Sequence, residues 1–102
     1  MESEYLYHIT SLQEWEAAKI KNEYTPQNYE KEGFIHCSIE KQIPGVLDRF
    51  YKGQKGLVKL KIDKAKVQRP VLFELAHDLD ELFPHIYGPL NLDSVVEVIT
   101  IS

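Results

Sequence analysis

The sequence has little cysteine and no long hydrophobic run. Cys37 is the one thiol in 102 residues, which excludes an internal disulfide and a cysteine-based zinc cluster, since each needs at least two thiols. No uninterrupted apolar run exceeds three residues, and the first residues, MESE, are acidic where a secretory signal is basic. We therefore expect one soluble domain over residues 1–102 in the reducing cytoplasm, with no membrane span.

Basic residues are missing from the end of the chain. Residues 70–102 contain six acids and no lysine or arginine, whereas residues 52–69 hold seven bases and one acid. The net charge of -4 argues against general nucleic-acid binding. Two interpretations of the basic segment 52–69 remain: it faces a phosphate or an anionic substrate, or it is a solvated edge strand whose lysines prevent aggregation.

Motifs of the common nucleotide enzymes are absent. The sequence has no phosphate-binding loop, dinucleotide glycine fingerprint, nucleophile elbow or paired zinc signature. It also has no internal repeat and no linker rich in proline, glycine or serine, which favours one continuous folding unit.

Short strands are predicted along the whole chain. Segments rich in β-branched and aromatic residues alternate with turn and charge signals at 5–10, 33–38, 57–63, 71–75, 83–87 and 95–101. Period two places Val58, Leu60 and Ile62 inward, with Lys59 and Lys61 outward. The same period places Phe34, His36 and Ser38 on one face of their strand and leaves Cys37 on the other, as a packed thiol.

Two helices are predicted in the first half of the chain. Ser11 and Glu14 have capping-box spacing ahead of a helix at about 12–21. A second helix contains apolar residues at helical spacing from Ile43 to Phe50, and it either kinks at its first turn or begins near Pro44. Residues 22–32 are polar and are predicted to form an irregular, mobile loop. Two early helices among short strands predict an α+β domain.

The histidines are the candidates for proton exchange near neutral pH. His8, His36 and His85 lie in predicted strands, whereas His77 lies in an acidic loop and is interpreted as incidental. A zinc site of three histidines is disfavoured because no pair has the close helical spacing of preorganised ligands, so we expect no metal.

Glu74 and Tyr87 add a carboxylate and an aromatic ring. Glu74 lies among apolar residues, so burial would raise its pKa and suit a general acid or base, whereas exposure on a half-buried strand would leave it ordinary. Tyr87 shares a strand face with His85 and either stacks on a planar ligand or packs.

Four segments together resemble the small bacterial family catalogued as domain of unknown function 952. They are residues 6–10 (LYHIT), 33–38 (GFIHCS), 49–51 (RFY) and 82–93 (LFPHIYGPLNLD). The resemblance implies a compact version of the ADP-ribosyltransferase fold, in which a mostly antiparallel split sheet with two helices in the N-terminal half forms a cleft for a nicotinamide dinucleotide.

The same resemblance implies roles for individual residues. Residues 7–10 are similar to a Tyr-His-Gly-Thr strand whose histidine holds a ribose hydroxyl, with Ile9 in place of the glycine. Residues 35–38 are similar to a strand of the RNA 2'-phosphotransferases, but the nearby arginines of that branch have no counterparts, so RNA phosphate removal is not expected. The transferase glutamate corresponds to Glu74 or Glu97, and Glu74 is preferred because it accompanies the histidine and tyrosine segment.

Two function classes follow from this resemblance. The first is an enzyme of the ADP-ribosyl class for which NAD or a small related nucleotide is the substrate. In it Glu74 and His85 are catalytic, His8 orients a ribose, Tyr87 stacks on a base, and His36 and Ser38 line the cleft. The second is a non-catalytic module that binds a small ligand or a protein on the same fold. The plain structural alternative is that the histidines and Tyr87 only tie loops to the sheet.

Overall fold

The computed structural model of the chain describes residues 4–75 and 80–101. His77 and the centre of the predicted acidic loop lie outside these residues. No helix in the described ranges is long and apolar enough to cross a bilayer.

Three α-helices are present in the described ranges. Helix α1 (Leu12–Lys21) begins after Ser11, whose Oγ accepts a hydrogen bond from the backbone N–H of Glu14 at 3.0 Å. Helix α2 (Tyr29–Glu32) is a single turn within the predicted irregular segment. Helix α3 (Ile43–Phe50) has Pro44 in its first turn and follows a 3₁₀ turn, so the second of the two predicted beginnings is correct.

Six strands form two three-stranded antiparallel sheets. Their bounds are β1 (Tyr5–Ser11), β2 (Ile35–His36), β3 (Leu57–Asp63), β4 (Val71–Leu75), β5 (Leu82–Ile86) and β6 (Val95–Thr100). One sheet has the order β1-β3-β6 and the other β2-β5-β4. The two are joined where Tyr7 and Ser38 exchange backbone hydrogen bonds of 2.8 and 2.7 Å. The predicted α+β class with a divided antiparallel sheet is therefore observed.

The sheet of β1, β3 and β6 has apolar clusters on both faces. One cluster packs α1 against β1 and β3 and includes Leu6, Trp15, Cys37, Leu60 and Ile62. The other packs α3 and β5 against the opposite face of β1 and includes Tyr7, Ile9, Val46 and Phe83. Because β1 is covered on both sides, its side chains from Leu6 to Thr10 are buried in a largely dry environment.

The basic segment is not an edge strand. Strand β3, which carries Lys59 and Lys61, is the centre of its sheet, so the interpretation of these lysines as protection of an exposed edge is wrong. Their ammonium groups lie over aromatic rings instead, Lys59 at 5.3 Å from the Tyr7 centroid and Lys61 at 4.3 Å from that of Tyr5. Strand order is a tertiary property that residue pattern alone does not determine.

Two further predictions, for residues 33–38 and 22–32, differ from the structure. The strand expected at residues 33–38 is paired as β2 only at Ile35–His36, because Ser38 leaves β5 and pairs with Tyr7 of β1. Within the loop predicted at 22–32, Tyr24 is buried, and its backbone exchanges two hydrogen bonds with Leu90 at 3.0 and 2.9 Å. This segment is therefore attached to the body of the protein at Tyr24.

Candidate functional site

The register of the second sheet gathers the predicted polar residues on one face. His36 of β2 lies opposite His85 of β5, and Leu72 of β4 lies opposite His85 from the other side. Since side chains two residues apart share a face, Glu74 on β4 and Tyr87 after β5 project on the same side as both histidines. The predicted period-two relation between His85 and Tyr87 thus agrees with the structure.

Glu74, His85 and His36 form a hydrogen-bonded series that we call the carboxylate–histidine chain. His85 Nδ1 lies 2.9 Å from Glu74 Oε1, and the Tyr87 hydroxyl donates to the same oxygen. His85 Nε2 lies 3.3 Å from His36 Nδ1. A carboxylate accepts only, so His85 Nδ1 carries a proton, and a neutral His85 then accepts from a proton on His36 Nδ1.

The environments of the two ends of this chain differ. The His85 side chain is only 3% exposed, whereas that of Glu74 is 37% exposed. The hydrogen bond from Tyr87, and secondly the one from His85, hold the pKa of the Glu74 carboxyl below its ordinary value, so Glu74 is ionised at neutral pH. Neither expected alternative for Glu74, a pKa raised by burial or an ordinary pKa, is observed, because the two donors lower the pKa by more than desolvation raises it. The same contact with Glu74 raises the pKa of the Tyr87 hydroxyl.

Aromatic rings hold the imidazoles in place. Phe34 stacks on His85 with ring centroids 4.0 Å apart and an angle of 14° between planes. Phe83 lies 5.0 Å from His36, centroid to centroid. These contacts fix the ring orientations that the hydrogen bonds require.

His8 is placed differently from the role that the resemblance implies. Its Nδ1 lies 2.7 Å from the carbonyl oxygen of His36 and must donate, and its Nε2 accepts from the Tyr24 hydroxyl, also at 2.7 Å. Burial lowers the pKa of His8, so the ring is neutral with both nitrogens engaged. A ribose hydroxyl would have to displace the Tyr24 hydroxyl to bond to His8 Nε2, and Tyr24 is itself buried.

A cavity of about 420 Å³ lies beside His8, and we call it the histidine cleft. Its lining comes from β1, α1, the 22–32 segment, β2, the connection between α3 and β3, and the start of β3. The lining residues are His8, Ile9, Thr10, Ser11, Glu14, Tyr24, Pro26, Gln27, Asn28, Glu32, His36, Tyr51, Gln54 and Leu57. His36 is the residue that belongs both to this lining and to the carboxylate–histidine chain.

The predicted site residues thus separate into three groups. Glu74, His85, Tyr87 and His36 meet in one cluster, and His8 joins it through the His36 carbonyl. Ser38 is buried, and its backbone pairs with β1; it is not among the residues of the described chain that line the histidine cleft.

The two candidate glutamates lie on different sheets. Glu97 lies on the other sheet, paired in register with Lys61, whereas Glu74 contacts the histidine and tyrosine segment. Among the described residues, no group of three histidine, cysteine or acidic side chains is arranged to hold a metal ion.

Sequence reasoning did not find Tyr24, Glu14 as a cleft residue, or the stacking of Phe34. Glu14 was assigned to the helix cap, and a cap hydrogen bond is indeed present, but its carboxylate turns to Thr10 Oγ1 at 3.0 Å and to the backbone N–H of Gln27 at 2.9 Å. The position of Thr10 on the same face of β1 as His8, four residues before Glu14, was the available signal.

Residues 9–98 match the family model described as Protein of unknown function (DUF952). Two crystal structures of protein CC0527 from Caulobacter crescentus, one of them a double mutant, are similar to this chain with a TM-score of 0.86 and 27% identity. The match covers 96% of this chain and 86% of that one. A solution NMR structure of CC0527 matches with a TM-score of 0.83. No curated protein matches the chain.

Proposed function

Because the chain belongs to the family of proteins of unknown function DUF952, whose name carries no activity, we propose from its site that it is an enzyme of the ADP-ribosyl class. Its substrate is NAD or a related nucleotide whose ribosyl–nicotinamide end enters the histidine cleft. The observation that carries this proposal is that His36 lines the cleft and is continued by His85 and Glu74. A carboxylate that orients an imidazole is a common arrangement for moving a proton at neutral pH.

The reaction balances without a further reactant. The bond between C1′ of the ribose and the nicotinamide nitrogen breaks, and its electron pair leaves with neutral nicotinamide. Water, or an acceptor hydroxyl, forms the new bond to C1′ and loses a proton. His36 accepts that proton at its buried Nε2, because its Nδ1 already carries the proton donated to His85. The ionised Glu74 stabilises the resulting positive charge through His85.

Roles within the cluster follow from which residues reach the cleft. His36 and Tyr24 line it and would touch the ligand, so they are the candidate catalytic and binding residues. Glu74, His85 and Tyr87 act as positioning residues, since their contact with the cleft runs through His36. His8 positions the Tyr24 hydroxyl. The choice of NAD is supported by the resemblance of residues 7–10 and 35–38 to strands of ADP-ribosyl enzymes.

The second candidate is a non-catalytic module that binds a small ligand in the same cleft. One observation favours it. His8 is neutral, and both of its nitrogens already have hydrogen-bond partners, so it is not available to exchange a proton with a ligand. The two candidates predict different fates for the ligand.

A thermal-shift titration with NAD, followed by mass spectrometry of the same samples, separates them. The enzyme predicts a raised Tm and released nicotinamide, whereas the binding module predicts a raised Tm and intact NAD. No shift and no release would contradict both.

Glu74→Gln tests the carboxylate–histidine chain, because it keeps the shape of the side chain and removes its charge. We expect kcat to fall by about 10²-fold, the lower end of what positioned proton transfer contributes, with little change in KM and an altered acid limb of the pH profile. Glu97→Gln, on the other sheet, is the matched control and should leave kcat unchanged. Equal activity of both variants would remove Glu74 from the mechanism. His8→Ala is a poorer probe because it removes two buried hydrogen bonds together.

A further inference from the structure

The charge of the histidine cleft restricts what can bind there. Its lining contains two carboxylates, Glu14 and Glu32, and, among the described residues that form it, no lysine or arginine. His8 does not offset them, since burial lowers its pKa and keeps it neutral. A cleft lined by charge of one sign concentrates ligands of the opposite sign and repels those of its own.

Glu14 is fixed in place by neutral groups. Its Oε2 accepts from Thr10 Oγ1 at 3.0 Å and from Ser11 Oγ at 3.5 Å, and its Oε1 accepts from the Gln27 N–H at 2.9 Å. These donors orient the carboxylate without cancelling its charge, and a carboxylate with about four acceptor positions has room for a further donor.

The negative charge of Glu14 affects the pKa of Tyr51, another residue that lines the cleft. Burial is the first cause that raises the pKa of the Tyr51 hydroxyl, and the carboxylates of Glu14 and Glu32 raise it further. Both Tyr24 and Tyr51 line the cavity, and Tyr51 is held by donation from its hydroxyl to the Ile9 carbonyl at 3.2 Å. Aromatic faces and carboxylates together favour a flat cation.

The basic segment does not supply a phosphate site at this position. Of residues 52–69, Gln54 and Leu57 are the ones that reach the lining, and neither is charged. Lys59 and Lys61 lie over Tyr7 and Tyr5 instead. A pyrophosphate within the cleft would therefore face carboxylates. Lys21 lines the adjoining cavity, which shares Ser11, Glu14 and Gln27 with the cleft, but it does not line the cleft.

Size points the same way. A volume of about 420 Å³ is at the small end of the roughly 300–1,000 Å³ range of ligand pockets, which suits a nucleoside better than a dinucleotide. The cavity is thus matched to one ring and one sugar.

We propose that the histidine cleft selects a phosphate-free, cationic N-riboside, such as a pyridinium riboside, over NAD and ADP-ribose. This inference rests on the proposed function, since it keeps the same cleft and the same bond between C1′ and the ring nitrogen. It differs in the preferred substrate, which is a nucleoside in place of NAD. The positive ring lies against Tyr51 and Glu14, and the ribose reaches Tyr24 and His36.

The test is isothermal titration of the whole protein with nicotinamide riboside, its neutral dihydro form, NAD and ADP-ribose. We expect the cationic riboside to bind about tenfold more tightly than its neutral form and than NAD, a difference that one partly screened charge contact supports. Glu14→Gln should remove most of this preference. Glu16→Gln is the matched control, because Glu16 is exposed on the same helix and pairs with Lys19 at 3.0 Å.

The outcomes distinguish failure of the selection for a cationic riboside from failure of the proposed enzyme class. Tighter binding of NAD or ADP-ribose than of the cationic riboside, or equal binding of the charged and neutral ribosides, overturns the selection for a cation. Release of nicotinamide from NAD in that case would leave the proposed enzyme class standing. Absence of binding by all four ligands, together with no release of nicotinamide, overturns both. Loss of the preference in Glu16→Gln as well would remove Glu14 as its cause.

Discussion

Acidification should destabilise this protein through His8. The ring is buried, donates from Nδ1 to the His36 carbonyl and accepts at Nε2 from Tyr24. Burial lowers its pKa below the value of about 6.5 that a histidine has in the unfolded chain, although the nearby Glu14 carboxylate partly opposes this shift. Between the two pKa values the unfolded chain binds a proton that the native protein does not.

The size and sign of the effect follow from that difference of one proton. The contribution of His8 to stability is complete above pH 6.5 and is lost as the pH falls toward the lowered native pKa. Within this window the free energy of unfolding should fall by up to about 1.4 kcal/mol for each pH unit of acidification. Carboxylates begin to contribute below this range.

Urea unfolding at pH 7.5, 6.5, 5.5 and 5.0 measures the slope in the wild type, in His8→Asn and in Tyr24→Phe. Both variants lose the hydrogen bond between His8 and Tyr24, at a cost of about 1–3 kcal/mol for the buried group left without a partner. Only His8→Asn also loses the titrating ring. We therefore expect a flatter slope in His8→Asn and an unchanged one in Tyr24→Phe, because the other histidines are the same in all three proteins. Equal slopes in all three would refute the assignment of a neutral, buried His8.

Three other predictions use different parts of the molecule. In NMR titrations the Glu74 carboxyl should have a pKa below its ordinary value, and Tyr87→Phe should move it upward by removing the larger of its two hydrogen-bonding causes; an unchanged value would contradict that contact. The Cys37 thiol is buried and its pKa is raised, so it should resist a thiol reagent at pH 8 until urea unfolds the protein, and rapid labelling of the folded state would disagree. Leu60→Ala, at the centre of β3, should cost about 2–5 kcal/mol in urea unfolding, while Ile20→Ala on the exposed face of α1 should change stability by less than about 0.5 kcal/mol; similar costs would place the core elsewhere.

Local signals were sufficient where neighbours in sequence determine the structure. The first helix was predicted with its observed bounds because Ser11 caps its beginning and the polar segment from residue 22 follows its end. Strand β3 was also predicted with its bounds, since its alternation of apolar residues and lysines is unbroken. Its place at the centre of the sheet was missed, because no residue of β3 encodes its partners β1 and β6.

The candidate site shows the same division. Period two put His85 and Tyr87 on one face, and the structure joins both to Glu74. Glu74 is half-exposed and its pKa is lowered. Both properties depend on the register between β4 and β5, which the sequence does not show. Tyr24 was missed because its burial results from pairing with Leu90, far away in the chain, and nothing near Tyr24 signals it.

The partner of β1 has a consequence for synthesis of the chain. Strand β1 pairs with β3 from Ser11 opposite Leu57 to Tyr5 opposite Asp63, so the ribosome must add roughly 45 residues before pairing can begin. At about 5–20 residues per second this takes about 2–9 s. During that time β1 has its backbone groups and two apolar faces without their final cover, including Leu6 on one side and Ile9 on the other. Until β3 is synthesised, β1 is thus an unpaired apolar segment of the kind that aggregates or binds chaperones that recognise extended apolar chains.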